Sequence, residues 1–306
     1  MLNIFFAGTP NSAAEILSYL VSNNSFNVCG VLTQPDKKGK RGNMLLESPV
    51  SEKARSLKLN IFKPLTLEKQ SIYQKINFSE ADILLVVAYG KLIPKWILES
   101  GIKIINIHYS LLPRYRGASP IQSALLNNDL QTGVTFMEMS QQLDAGRIIS
   151  SFDIPIKDND NKSSLEKKLT ALSILNIDKV LKEFYSNKIT PIEQDHKNAS
   201  YCKKISKEDS IVDFKESANK ILCKLKAYNE WPGISFIHND KVIKIHDLIV
   251  TTTKSPGKPG DIIDFDKSGI RIKTADYDIV ITYLQFPNKN IINSNDAYNS
   301  HKKFFI

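Results

Sequence analysis

Asn106 and His108 stand two residues apart behind the apolar run Ile102-Lys103-Ile104-Ile105, in the stretch NIHYSLLPRYRGASPIQ (106–122). Residues i and i+2 of a strand face the same way, so a strand ending here delivers an amide and an imidazole side by side. The amide can donate to an oxygen that gains negative charge, and one such donor stabilises an acyl-transfer transition state by about 3–4 kcal/mol. The imidazole can share that task or move a proton near neutral pH. A histidine so used needs a carboxylate to orient it, and MEMSQQLDAGRI supplies Asp144 in a loop between two expected strands. The sequence holds no GxSxG elbow, and no cysteine lies near His108. Direct attack by a substrate amine, without an acyl-enzyme, is the chemistry this trio suits best. Singly, each residue also fits a structural role: a cap, a satisfied histidine, a turn aspartate. Their occurrence together carries the reading.

The elements around the trio define where it sits. LNIFFAG (2–8), FNVCGVLT (26–33), DILLVVAYG (82–90) and KIINIH (103–108) read as near-continuous apolar strands, with helical spacing between them at 12–21, 49–58, 66–78 and 94–99. That alternation predicts an α/β domain with a parallel sheet covered on both faces. GVTFMEM (133–139) and GRIISSFDIPI (146–156) predict a pair of strands added at one edge, followed by a long amphipathic helix over 163–185. Sites in such sheets lie at the carboxyl ends of the strands, so FFAGTP, VVAYG and INIH finish at one edge. Neither GxGxxG nor GxxxxGK[ST] is present, which disfavours a dinucleotide or P-loop site. The stretch 186–209 lacks apolar periodicity and reads as a linker. Beyond it a helix (215–228) and short strands separated by turn signals predict a small antiparallel barrel.

The composition is that of an ordinary soluble chain: 306 residues, 42% hydrophobic and 24% charged. No apolar run approaches the ~20 residues of a membrane span, and MLNIFFAGTP has no basic n-region of a secretory signal. Cys29, Cys202 and Cys223 follow no metal or disulfide spacing, as expected in a reducing cytoplasm. The formal net charge of +9 points to an anionic partner, although the general abundance of Lys, Asn and Ile also accounts for it.

Asn106 to Gly117 resembles the N-x-H-x-S-L-L-P-x-x-x-G signature of the folate-dependent formyltransferases, and Met139…Leu143-Asp144-Ala145-Gly146 resembles that family's second signature. The resemblance implies that Asn106, His108 and Asp144 are the catalytic triad; no metal is implied, since the His/Asp candidates lack ligand spacing. It also implies that Ser110, Leu111, Leu112 and Pro113, with the strand exit Val87-Ala88-Tyr89-Gly90, line the pocket of the co-substrate 10-formyltetrahydrofolate. TQPDKKGKRGNMLLESPV (33–50) is similar to the basic loop of the methionyl-tRNA formyltransferase branch, which assigns Lys37, Lys38, Lys40 and Arg41 to the acceptor stem of initiator methionyl-tRNA. Cations on a mobile loop can neutralise phosphates and reach an unpaired end. ISKED…VDF (205–214) and NEWPG (229–233) resemble the same branch's entry into a C-terminal domain related to the oligonucleotide-binding fold, which here carries 17 Lys/Arg against 13 Asp/Glu over 201–306.

The implied organisation is a Rossmann-like, mostly parallel-sheet formyltransferase domain over 1–187, a linker over 188–206 and an OB-like barrel that binds tRNA over 207–306, in a monomeric cytoplasmic enzyme. The expected reaction moves the formyl group to the methionine α-amine. A sugar-nucleotide formyltransferase using the same triad is the alternative; it should lack the basic loop and the SKED…VDF junction. The loop continues Gly42-Asn43-Met44 where relatives often carry more lysine, which implies a weaker grip on tRNA.

Overall fold

The structure, a computed structural model, describes residues 1–39, 45–69, 78 and 80–305. The chain forms two compact units. The first comprises Met1–Pro120, Gln131–Pro155 and Glu166–Cys202, and the second Ile121–Leu130, Ile156–Leu165 and Lys203–Ile306.

In the first unit, seven strands form one sheet: β1 (Leu2–Gly8), β2 (Phe26–Leu32), β3 (Ile61–Phe62), β4 (Ile83–Val87), β5 (Lys103–His108), β6 (Gln131–Glu138) and β7 (Ile148–Pro155). Their spatial order is β7-β6-β5-β4-β1-β2-β3. Strands β5 through β3 in that order are parallel, while β6 and β7 join the β5 edge antiparallel. This is the expected Rossmann-like sheet with its added edge pair. Every residue of β4 is buried, as are the last five of both β1 and β5, because helices cover both faces of these strands. Two short pieces escaped the sequence reading. Strand β3 has only two residues and no period to detect, and Arg116–Gly117 pairs in parallel with Tyr201–Cys202.

Helix α1 (Asn11–Ser22) buries Ala13, Ile16, Leu17 and Leu20, the spacing of one helical face. Helix α2 (Pro49–Ser56) starts with Pro49 behind Ser48, whose hydroxyl accepts from the Ser51 amide at 3.0 Å. Short helices α3 (Lys95–Leu98) and α4 (Pro120–Leu126) precede the long α5 (Lys162–Tyr185). From residue 166 onward α5 buttresses the strand exits. The Ser12 hydroxyl donates to Glu166 at 3.1 Å, and the Tyr109 hydroxyl meets Thr170 Oγ1 at 3.0 Å. The helix expected over 66–78 falls largely outside the described residues.

The second unit carries an antiparallel sheet of β8 (Ile234–His238), β9 (Lys241–Val250), β10 (Ile262–Asp266), β11 (Gly269–Lys273), β12 (Asp278–Gln285) and β13 (Ile291–Asn293). The order is β8-β9-β12-β11-β10, with β13 on β12. Helix α6 (Ala218–Ala227), capped by Ser217, packs on β9, and α7 (Ser294–Phe305) packs on β10–β13 through Phe265, Phe286 and Phe305. Among the described residues, no helix is long and apolar enough to cross a membrane.

The segment read as a linker is tied to the first unit as far as Cys202. Ile192 exchanges both backbone hydrogen bonds with Ile148 at 2.8 Å, and Gln194 is buried. These anchors are backbone ladders and one amide side chain, none of which leaves an apolar period in the sequence.

Burial pushes the hydroxyls of Tyr89 and Tyr109 up to about 12. A tyrosine in an unfolded chain ionises near 10. Above that pH the unfolded state binds fewer protons than the folded state, so this contribution is complete below about pH 10 and disappears as pH rises through about 12. Urea unfolding midpoints measured from pH 9 to about 12 are therefore expected to fall less steeply for Tyr109→Phe than for the wild type.

Candidate active site

Strand β5 puts Asn106 opposite Val86 of β4 and Met137 of β6, and His108 opposite Thr135. Both are buried, at 9% and 6% exposure, yet no hydrogen bond to the Asn106 side chain occurs among the described residues. Its amide atoms are not sealed from solvent, so a ligand can reach them and take up their hydrogen bonds. His108 Nε2 lies 2.9 Å from the carbonyl oxygen of Tyr115. A carbonyl only accepts, so Nε2 carries the hydrogen and donates it. That assignment leaves Nδ1 as the working nitrogen, 3.7 Å from Asp144 Oδ2. In the neutral ring, Nδ1 is a bare acceptor facing a carboxylate, and a proton donor between the two satisfies both; in the imidazolium, Nδ1–H faces Asp144 directly.

The carbonyl that fixes His108 is itself held by the turn that follows β5. The Ser110 hydroxyl donates to the Arg114 carbonyl at 2.6 Å. Thr135 of β6 donates to the Ser110 carbonyl at 2.7 Å and accepts from the Leu112 amide at 3.1 Å. Tyr115, in a left-handed conformation with φ +59°, donates its amide to the Ser200 hydroxyl at 2.9 Å. Gly117 ends the turn at φ +120°, and a Cβ there would overlap the Cys202 carbonyl.

Asp144 sits on the β6–β7 loop with φ +49°, and its Oδ2 accepts from the Gly117 amide at 2.8 Å. The base of that loop is closed by a two-point pair from Arg147 to Glu138, at 2.5 and 3.0 Å. A Cβ at Gly146 would overlap the Glu138 carbonyl. The turn and the loop are thus stitched together at the carboxylate.

The remaining expected site residues divide by exposure. Val87, Tyr89, Ser110 and Leu112 bury their side chains, whereas Leu111 and Pro113 are half-buried, and Ala88 and Gly90 are exposed. Ala88 (φ +46°) and Gly90 (φ +80°) turn the chain away from β4, and the Tyr89 carbonyl accepts from Thr9 Oγ1 at 2.8 Å and Gln34 Nε2 at 3.1 Å. Lys37–Lys38 pairs with Leu45–Leu46 at the root of the basic loop, and Lys37 is exposed. Lys63 steadies that root through Asp36 at 2.7 Å and Glu47 at 3.7 Å. Lys40 and Arg41 lie outside the described residues, and the Lys38 side chain is not among those described. Sequence reasoning missed the Tyr115 carbonyl and the Gly117 amide, which residue identity does not reveal, and it missed Thr135 and Gln194. Among the described residues, no group of three or more His, Cys, Asp or Glu side chains is placed to hold a metal.

Residues 2–177 match the formyl transferase family, and residues 204–302 match the formyl transferase C-terminal domain. The chain belongs to the formyl transferase family. Among solved structures, the N-formyltransferase from Helicobacter canadensis, in complex with folinic acid and dTDP-3-aminofucose, is 19% identical with a TM-score of 0.67, over 94% of this chain and 100% of that one. Methionyl-tRNA formyltransferase from Clostridium thermocellum is 14% identical with a TM-score of 0.59, over 83% and 96%. HypX from Aquifex aeolicus is 17% identical with a TM-score of 0.64 over 100% of this chain; the present chain spans about half of HypX, 48%. At these identities the structures share the fold.

An amide such as that of Asn106 can donate to a developing oxyanion, and a ring nitrogen facing a carboxylate, as His108 Nδ1 faces Asp144, can pass a proton. Asn106→Ala, His108→Ala and Asp144→Ala are each expected to lower kcat for formyl transfer by about 10²-fold or more, with the folded far-ultraviolet spectrum retained. A near-normal rate in one variant would remove that residue from the mechanism.

Proposed function

We propose that this enzyme transfers the formyl group of 10-formyltetrahydrofolate to the α-amine of methionine on initiator methionyl-tRNA. The observation that carries the direct-transfer reading is how the polar groups of the strand exit are spent. His108 Nε2 is committed to a backbone carbonyl and the Ser110 hydroxyl to another, so the pair cannot act as nucleophile and base. What remains open is the Asn106 amide, His108 Nδ1 and the Asp144 carboxylate, a set for an incoming amine.

In this reading the neutral amine attacks the formyl carbon and a C–N bond forms. The carbonyl oxygen becomes an oxyanion held by Asn106 and His108. Asp144 draws the proton from the amine, directly or through His108, and collapse breaks the bond to the folate N10, which takes up one proton as it leaves. Correct placement of two large substrates contributes as much as proton transfer, because the step is bimolecular. Support for a reduced-folate donor comes from the relatives, since the HypX structure with tetrahydrofolic acid and the WlaRD sugar 3N-formyl transferase with 5-N-formyl-THF carry such compounds. Ala88, Gly90, Leu111 and Pro113 are the exposed or half-buried members of the pocket proposed for it. Support for a tRNA acceptor comes from the basic loop Lys37, Lys38, Lys40 and Arg41 and from the net charge of +9.

The experiment is transfer of labelled formyl from 10-formyltetrahydrofolate to charged initiator methionyl-tRNA, with uncharged tRNA and an amino-sugar nucleotide in parallel. Label on the charged tRNA alone is expected. Label on the sugar would reassign the acceptor and leave the trio in place. Arg41→Ala is expected to raise KM for the charged tRNA, to reduce the slope of log KM against log salt by about one, and to leave KM for the folate unchanged.

A further inference from the structure

Gln194 belongs to no motif and lies 50 residues from Asp144 in sequence, yet it touches the backbone on which Asp144 stands. It is buried, at 4% exposure, and every hydrogen-bonding position of its amide is filled. Its Nε2 donates to the carbonyl of Asp144 at 2.9 Å and to that of Gly146 at 2.7 Å. Its Oε1 accepts from Arg116 Nε at 3.0 Å and Nη2 at 2.7 Å. The amide orientation follows from chemistry, since carbonyls only accept and a guanidinium only donates.

Arg116 is the other half of the device. It is 1% exposed, and its described partners are all uncharged acceptors: Gln194, His196 Nδ1 at 3.1 Å and the Tyr201 hydroxyl at 3.3 Å. A buried guanidinium that shares its charge with an amide polarises that amide and strengthens the bonds it donates on its far side. The next residue, Gly117, donates its backbone amide to Asp144 Oδ2. The connections close a ring: Arg116 to Gln194, Gln194 to the Asp144 backbone, the Asp144 carboxylate to Gly117, and Gly117 back to Arg116 through the peptide bond. The left-handed Asp144 is held from both its main chain and its side chain.

We infer that Gln194 is a positioning residue for Asp144: it clamps the β6–β7 loop to the turn after β5 and thereby sets the distance between the carboxylate and His108. The inference rests on the formyl-transfer reading of the trio. It assigns a role in the reaction to the segment after α5, which the sequence presents as a connector.

Gln194→Glu separates positioning from mere packing. The glutamate keeps volume and gives Arg116 a carboxylate, so the fold is retained, but it has no hydrogens for the Asp144 and Gly146 carbonyls. We expect Gln194→Glu and Gln194→Ala both to lower kcat about 10²-fold, as misplacement by about 1 Å does, with KM for both substrates changed less than about twofold. In an Asp144→Ala background, Gln194→Glu is expected to cause no further loss, because the residue acts through Asp144. Hydrogen exchange at the Gly117 amide is expected to quicken in Gln194→Glu, with Ile105 in β5 unchanged. Wild-type kcat in Gln194→Glu, or an additive loss in the double variant, would overturn the inference. Unchanged exchange at Gly117 would overturn it too, even if the acceptor proved to be other than tRNA. Full activity in Asp144→Ala alone would instead sink the reading of the trio on which it stands.

Discussion

The backbone carbonyl of Tyr115 decides what the imidazole of His108 can do. At 2.9 Å from Nε2 it engages that nitrogen and fixes the hydrogen there, which leaves Nδ1, 3.7 Å from Asp144 Oδ2, as the ring nitrogen open to a ligand. A ring free to flip would offer either nitrogen to solvent, and the carboxylate would have no fixed partner. The turn after β5 exists to aim that carbonyl. Its internal bonds from Ser110 and Thr135, its bond to Ser200 and its left-handed Tyr115 all serve to hold one oxygen in place. The same turn then presents Gly117 to Asp144, so one short segment orients both titratable members of the trio.

Rigidity of this kind comes from the sheet. Strand β5 lies between β4 and the antiparallel strand β6, with five of its six residues buried, which leaves Asn106 and His108 little freedom at its exit. The antiparallel pair matters because β6 runs back along β5 and ends beside Ile105, so the short β6–β7 loop brings Asp144 to 3.7 Å from His108 with no crossover helix between them. The three side chains thus come from a strand end and from a hairpin-like loop, and a third segment, 192–202, is bonded to both the turn after β5 and that loop.

Much of this was legible in the sequence. The parallel strands and the added edge pair could be read because apolar runs are written residue by residue, and the trio could be proposed from its side-chain types alone. What stayed hidden were main-chain groups and amides. No pattern reports that the Tyr115 carbonyl faces His108, or that the Gly117 amide faces Asp144. Gln194 was invisible for a related reason: polar, in a stretch without periodicity, it had the appearance of linker, and only its four hydrogen bonds give it meaning. Strand β3 escaped because two residues cannot show a period.

The tautomer of His108 tests the account most directly. Nitrogen-15 labelling of the five histidines, with the His108→Ala variant to assign the signal, reads which ring nitrogen carries the proton across a pH titration. The expected result is a neutral ring that carries its hydrogen on Nε2, the nitrogen beside the Tyr115 carbonyl. A neutral His108 protonated at Nδ1 would contradict it, because the ring would then be turned from Tyr115 and the site would have to work through the other nitrogen.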